Sequence, residues 1–186
     1  MLCAVFIVAQ LACAWPRARG AELDGVQLPG ELQVGGKTLQ LNGIGLRTYS
    51  ILGIHIYVAG LYLEHTSSDA EAILRSRDTK MLIIKFKRDV SADASRKAWR
   101  TGLENNCAAP CQLDPTDVAR FLAGVPAMHA GESYALLFTQ QGVTIIADGV
   151  QVGEISKRPF AEAMLATFLG PAPASPRLKE ELLQGH

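Results

Sequence analysis

One fixed positive charge stands in an almost wholly apolar stretch: between residues 41 and 64, Arg47 is the only lysine or arginine. A guanidinium keeps its proton, so an arginine within a hydrophobic strand must meet an anion or reach water. A chain break at Leu52-Gly53 supplies a companion, because a hairpin centred on Leu52 sets Arg47 opposite Tyr57. Paired side chains on one face of a sheet lie about 5 Å apart at Cβ, close enough to grip one small group together. A carboxylate suits the pair, since arginine offers a bidentate, charge-assisted contact and the phenol adds a further donor. The alternatives are that Arg47 pairs with an internal acid such as Glu64 or Asp148, or that it reaches the sheet edge. Thr167 is a third polar residue in apolar surroundings, on the inward face of a predicted helix. A buried threonine there commonly bonds back to the carbonyl one turn earlier.

Other chemistries lack their residues. His55, His65, His129 and His186 show no metal-ligand spacing, and serine, histidine and aspartate form no recognisable nucleophile motif. No phosphate-binding glycine loop precedes a helix. The expectation is therefore no metal and no cofactor. Eighteen basic residues balance eighteen acidic ones, and Arg96, Lys97 and Arg100 read as a solvated helix face, so no nucleic-acid partner is predicted. Cys107 and Cys111 read as a disulfide formed in an oxidising compartment, a loop too short to contribute more than about 2 kcal/mol.

These residues need elements to hold them. Residues 2–14 form an apolar run of signal-peptide length ending in Ala12-Cys13-Ala14, although no lysine or arginine precedes it. The expected organisation is a signal and lead-in over 1–21 and one domain over 22–186. The mature chain should be periplasmic or secreted, with no integral membrane segment. Residues 15–29 read as a lead-in punctuated by proline and glycine. A hairpin around Gly35-Gly36 follows, then an extended region over 46–63. A short helix over 69–77 and a strand over 80–87 come next. Ser91 caps a helix whose apolar stripe is Ala94, Ala98, Trp99, Gly102 and Leu103. Asp114-Pro115 opens another helix, and strands follow over 133–139, 143–147 and 151–155. The last long helix spaces Phe160, Ala163, Met164, Thr167 and Phe168 at i, i+3, i+4, i+7 and i+8, and 177–183 closes the chain as an amphipathic helix. The order predicts an α+β fold with a mostly antiparallel sheet.

Asn42-Gly43-Ile44-Gly45-Leu46-Arg47, followed by Ile56-Tyr57-Val58-Ala59-Gly60-Leu61-Tyr62-Leu63-Glu64, resembles the opening sheet of the chalcone isomerase-like family, and the likeness runs to the final long helix. It implies an open-faced β-sandwich, a large antiparallel sheet backed by helices with the ligand cleft between them. In the family's plant enzymes an arginine draws the attacking phenolate, while a threonine and a tyrosine polarise a ketone during intramolecular ring closure. By resemblance Arg47 matches that arginine, and Thr167 matches a threonine lining the cleft from the last helix. The ketone-side threonine falls near Tyr57 and the catalytic tyrosine at Ala94, and losing an oxyanion-stabilising phenol typically costs about two to three orders of magnitude in rate. The family also holds non-catalytic fatty-acid-binding members, and Arg47 with Tyr57 resembles the arginine and tyrosine that hold the carboxylate there.

The leading expectation is thus a non-catalytic binding protein for a fatty acid or similar apolar acid, with Arg47, Tyr57 and Thr167 as ligand residues. Two alternatives stand beside it, a weak or altered chalcone isomerase-like intramolecular lyase and an envelope protein acting through a protein partner.

Overall fold

In the computed structural model, residues 20–50, 52–107 and 111–185 are described; the predicted signal segment lies outside them. A two-stranded hairpin, β1 (Ala21–Leu23) and β2 (Val26–Leu28), precedes a seven-stranded sheet. The sheet contains β3 (Glu31–Val34), β4 (Lys37–Tyr49), β5 (Ile54–Leu63), β6 (Lys80–Phe86), β7 (Ser133–Phe138), β8 (Val143–Ala147) and β9 (Val150–Ile155). Every neighbouring pair is antiparallel, and the strands lie in chain order. Five helices are interleaved: α1 (Ala70–Arg75), α2 (Ala92–Asn106), α3 (Pro115–Gly124), α4 (Arg158–Leu169) and α5 (Pro176–Leu183).

The local chemistry explains the boundaries. Asp69, Ser91, Asp114 and Ser175 cap the first, second, third and fifth helices through their side chains, and proline opens α3 and α5. Gly35 and Gly36 take positive φ between β3 and β4, the conformation that a two-residue hairpin turn demands. Cys107 and Cys111 are joined by a disulfide just past the end of α2.

Alternation along the strands divides the core in two. Ala59, Leu61, Leu63, Leu82, Ile84, Leu136 and Phe138 face the helices and form the larger cluster. Leu41, Ile44, Val58 and Tyr62 face the other way and are covered by the β1–β2 hairpin through Leu28, Leu23 and Val26. The Tyr62 phenol fixes that hairpin by donating to the Pro29 carbonyl at 2.9 Å.

Three expectations need correction. The supposed lead-in over 15–29 contains β1 and β2, whose turn is Asp24-Gly25 with φ of 51° and 73°; three-residue strands show too little periodicity to announce themselves. The stripe assigned to α2 is rotated, because Ala94 and Ala98 are exposed while Gly102 and Leu103 are buried. Ala is apolar enough to join a stripe yet small enough to cost little in water. The α4 stripe is broader than predicted, since Phe160, Ala161 and Ala163–Leu169 are all buried. That helix packs against α1, α2 and α5 as well as β8, and a helix enclosed on all sides has no polar face to reveal its period.

Candidate ligand-binding site

The site begins with how β4 is held. Beyond its pairing with β3 the outer edge of β4 is covered by α5, which stops an open strand edge from recruiting another chain. At a register shift between Leu41 and Gly43, Asn42 is fully buried. Its amide donates to the carbonyls of Ser67 at 3.0 Å and Leu182 at 2.9 Å, and its oxygen accepts from the Ser67 amide at 2.7 Å. A Cβ on Gly43 would lie 2.4 Å from the Leu182 carbonyl oxygen, and one on Gly45 would lie 2.7 Å from Leu178 Cδ1. Both positions therefore admit only glycine while α5 stays seated. Glu181 completes the contact by accepting from the Leu46 amide at 2.8 Å and from Arg177 at 2.8 Å.

The Asn-Gly-x-Gly part of the motif is thus a berth for α5, and Arg47 is the next side chain on the same face. Sequence reasoning missed Asn42 and Glu181. The asparagine inside an apolar strand was the available signal; nothing local marked the glutamate.

Arg47 pairs directly with Tyr57 across β4 and β5, the expected partner, although the hairpin is not centred on Leu52: nearer the turn Tyr49 faces Ile54. Immediately beyond them the register slips, so that Thr48 faces His55 and Ile56 is the extra residue. Such bulges re-aim neighbouring side chains and often stand beside sites. Tyr57 packs against the helix-side core and meets Phe86 of β6 edge-on at 5.8 Å. Burial pushes its phenol up to about 12, with the Arg47 charge pulling the other way, so the group is a neutral donor at ordinary pH.

Neither the Arg47 guanidinium nor the Tyr57 hydroxyl has a hydrogen bond or ion pair with another described residue. Neither internal acid weighed for Arg47 pairs with it: Asp148 stands in the β8–β9 turn at a φ of 44°, and Glu64 accepts from Lys37 at 2.6 Å and from the Thr79 amide. That contact and the Thr79 amide hold its carboxyl down at about 2. An arginine fork and a phenol, side by side and both unclaimed, are equipped to take an anion with oxygen acceptors.

Further along the same face the surface is aromatic. Tyr134 on β7 lies under Trp99 of α2 at 6.5 Å, and Trp99 also meets Phe121 at 5.3 Å and Phe168 at 5.8 Å. Burial raises the Tyr134 phenol as well. Thr167 sits in the helix layer rather than beside Arg47. It is 4% exposed, donates its hydroxyl to the Met164 carbonyl at 2.7 Å, and sets its methyl against Gly102 of α2. The structure therefore brings Arg47 and Tyr57 together and gives Thr167 a packing role where α4 crosses α2.

A cavity of about 160 Å³ opens at the other end of the hairpin, lined in part by Leu63, Glu64, Ile73, Ser76, Asp78 and Lys80. Its charged groups Glu64 and Lys80 already have partners, with Lys80 Nζ donating to the carbonyls of Ser76 and Asp78 at 2.9 Å each. We place the candidate site at Arg47 because the unclaimed donors are there. No group of metal-ligating side chains occurs among the described residues, and none of their helices is long and apolar enough to cross a membrane.

A family model described as chalcone isomerase-like matches residues 20–184. The chain belongs to the chalcone isomerase-like family. Among solved structures it is similar to a fatty-acid binding protein of Arabidopsis thaliana, at 14% identity and a TM-score of 0.73, covering 89% of this chain and 96% of that one. No curated protein matches at the sequence level. The seven-stranded sheet backed by helices is the chalcone isomerase-like fold, and the α+β expectation stands.

Proposed function

We propose that this chalcone isomerase-like chain is a non-catalytic carrier or sensor of a fatty acid or similar apolar carboxylic acid. Arg47 and Tyr57 hold the carboxylate, and the apolar tail runs between sheet and helices along Phe86, Tyr134 and Trp99. The observation that carries this reading is the cross-strand Arg47–Tyr57 pair whose donors no other described residue takes up. The fatty-acid-binding role of the Arabidopsis protein of the same fold supports it. Burial of the tail supplies most of the affinity at about 0.8 kcal/mol per methylene, and the headgroup contacts set orientation. Thr167 contributes packing to the helix side of the cleft, its donor being committed to Met164.

Catalysis is disfavoured by Ala94, which stands exposed in the first turn of α2 where the resemblance puts the enzymes' tyrosine. The Cys107–Cys111 bond supports life in an oxidising compartment and hence export.

Native mass spectrometry with added palmitate tests the proposal. The protein should bind one equivalent, and Arg47→Ala/Tyr57→Phe should bind at least about tenfold more weakly while melting as the parent does. A protein that refuses fatty acids of every length, or a double variant that binds as before, defeats it. Chalcone decay no faster than the spontaneous rate is the matching result for the absence of catalysis.

A further inference from the structure

Among the described residues four large apolar side chains are exposed, and two of them crown one hairpin: Tyr49 at 64% and Leu52 at 80%. They stand at the tip of β4 and β5, the strands that carry Arg47 and Tyr57. The turn that displays them is built by its own bonds. The Gly53 amide donates to the Ser50 carbonyl at 3.2 Å and the Leu52 amide to the Ser50 hydroxyl at 3.2 Å, with Ser50 and Gly53 both at positive φ. A tyrosine and a leucine held out in water by a formed turn are a standing cost unless something covers them.

Their size argues about what that is. Two side chains fall far short of the roughly 1,000 Å² that a specific protein interface buries. Shallow insertion at a lipid surface needs only a few apolar groups, with tyrosine favoured at headgroup level and cations behind it. The cations are in place. Arg47 lies two residues behind Tyr49, about 7 Å along the strand, within the roughly 5–10 Å depth of an interfacial element. The Lys87 amide donates to the Ile56 carbonyl at 2.9 Å, which brings Arg88 alongside the hairpin's base, while the Lys87 ammonium is held by Asp24. Arg88 is exposed and has no ion pair with a described residue. The acids at this end are engaged: Asp24 contacts His55 at 3.0 Å and Lys87 at 3.6 Å, and Asp89 accepts from the Ala130 amide at 2.9 Å.

We propose that the β4–β5 hairpin tip docks on an anionic lipid bilayer, inserting Tyr49 and Leu52 so that the Arg47–Tyr57 site opens at the headgroup layer. This rests on the fatty-acid reading for its purpose, since an apolar acid is stored in bilayers and must leave and enter there. The docking itself is measurable without any ligand.

The test is flotation of the protein with vesicles of phosphatidylcholine, alone or with about a third phosphatidylglycerol, at low and physiological salt. The parent should float with the anionic vesicles, less so as salt rises, and Tyr49→Ser/Leu52→Ser should lower partitioning at least tenfold. Leu52→Asp should do the same. In vesicle-free buffer the Tyr49→Ser/Leu52→Ser protein should hold palmitate as tightly as the parent but receive it from vesicles at least about tenfold more slowly. Tip-dependent flotation by a protein that binds no fatty acid keeps the docking and sinks only the ligand reading. Parent protein that ignores both vesicles, variants that float equally well, or a tip-dependent dimer seen without lipid would each overturn the docking.

Discussion

The β4–β5 hairpin has a charged residue group at each end, and the two ends treat their charges oppositely. At the end away from the tip, Glu64 takes Lys37 and the Thr79 amide, and Lys80 takes the carbonyls of Ser76 and Asp78 at the end of α1. Each charge there is answered from within the chain, and the result is structural: a strand pair stitched to a helix end, where a cation is favoured by the macrodipole. At the tip end Arg47 and Tyr57 face each other with nothing from the described chain between them. Their polar atoms are within reach of solvent, so the pair carries no buried unsatisfied group and is free to exchange water for the acceptors of an anion. Burial alone does not separate the two ends; completeness of the polar pairing does.

The largest effect expected from this contrast is on ligand affinity. Replacing Arg47 by alanine removes a charge-assisted contact worth about 1.5–3 kcal/mol, so fatty-acid affinity should fall about 10- to 100-fold in a fluorescent-acid displacement titration. Arg47→Lys should recover only part of it, because an ammonium cannot form the two parallel bonds of the fork. Full recovery by lysine would mean that a point charge suffices and that the cross-strand geometry is incidental.

Between the two ends lies the α5 berth, where the expected effect is on stability alone. Gly43→Ala drives a methyl into the backbone of α5 and should cost about 1–3 kcal/mol in urea unfolding. A variant as stable as the parent would show that α5 is not seated on β4 as described.

A smaller effect belongs to the closed end. Glu64 has its carboxyl lowered from 4.5 to about 2, chiefly by the Lys37 contact. Its folded value lies below its unfolded one, so this contribution is complete above pH 4.5 and fades as pH falls toward 2. Lys37→Met should move the midpoint of acid unfolding upward and leave fatty-acid binding at neutral pH untouched. An unchanged acid midpoint would deny Glu64 its structural role.

Much of this was legible in the residues. Hydrophobic alternation, caps and turn glycines gave the order of strands and helices; symmetry about Leu52 named the right partner for Arg47 but not the right hairpin, because the turn is one residue tighter and the bulge at Ile56, which no local pattern announces, restores the pairing. The berth for α5 was not legible. Gly43 and Gly45 are constrained by residues more than 130 positions away, and nothing near them in the chain announces a helix that arrives last. The same limit hid Glu181, an exposed-looking acid in a helix that turns out to bond the Leu46 amide. The β1–β2 hairpin escaped notice for a different reason: its stability comes from the outer face of the sheet, through Leu28 and Tyr62, and not from a pattern of its own.

Thr167 gives the smallest and most discriminating effect. Resemblance places it in the ligand cleft, whereas its geometry gives the hydroxyl to Met164 and the methyl to Gly102. Valine keeps the shape and the methyl contact and loses only the hydroxyl. If Thr167 serves packing, Thr167→Val should change fatty-acid affinity by less than about twofold, since the Met164 carbonyl keeps its ordinary helix bond. A hydroxyl oxygen retains acceptor capacity after donating, so a protonated acid or a bridging water remains a chemically possible partner for it. A tenfold loss with the fold unchanged would therefore move the boundary of the open region from the Arg47–Tyr57 pair up into the helix layer. It would also show that the polar pairing at α4 is incomplete in the same sense as at the hairpin tip.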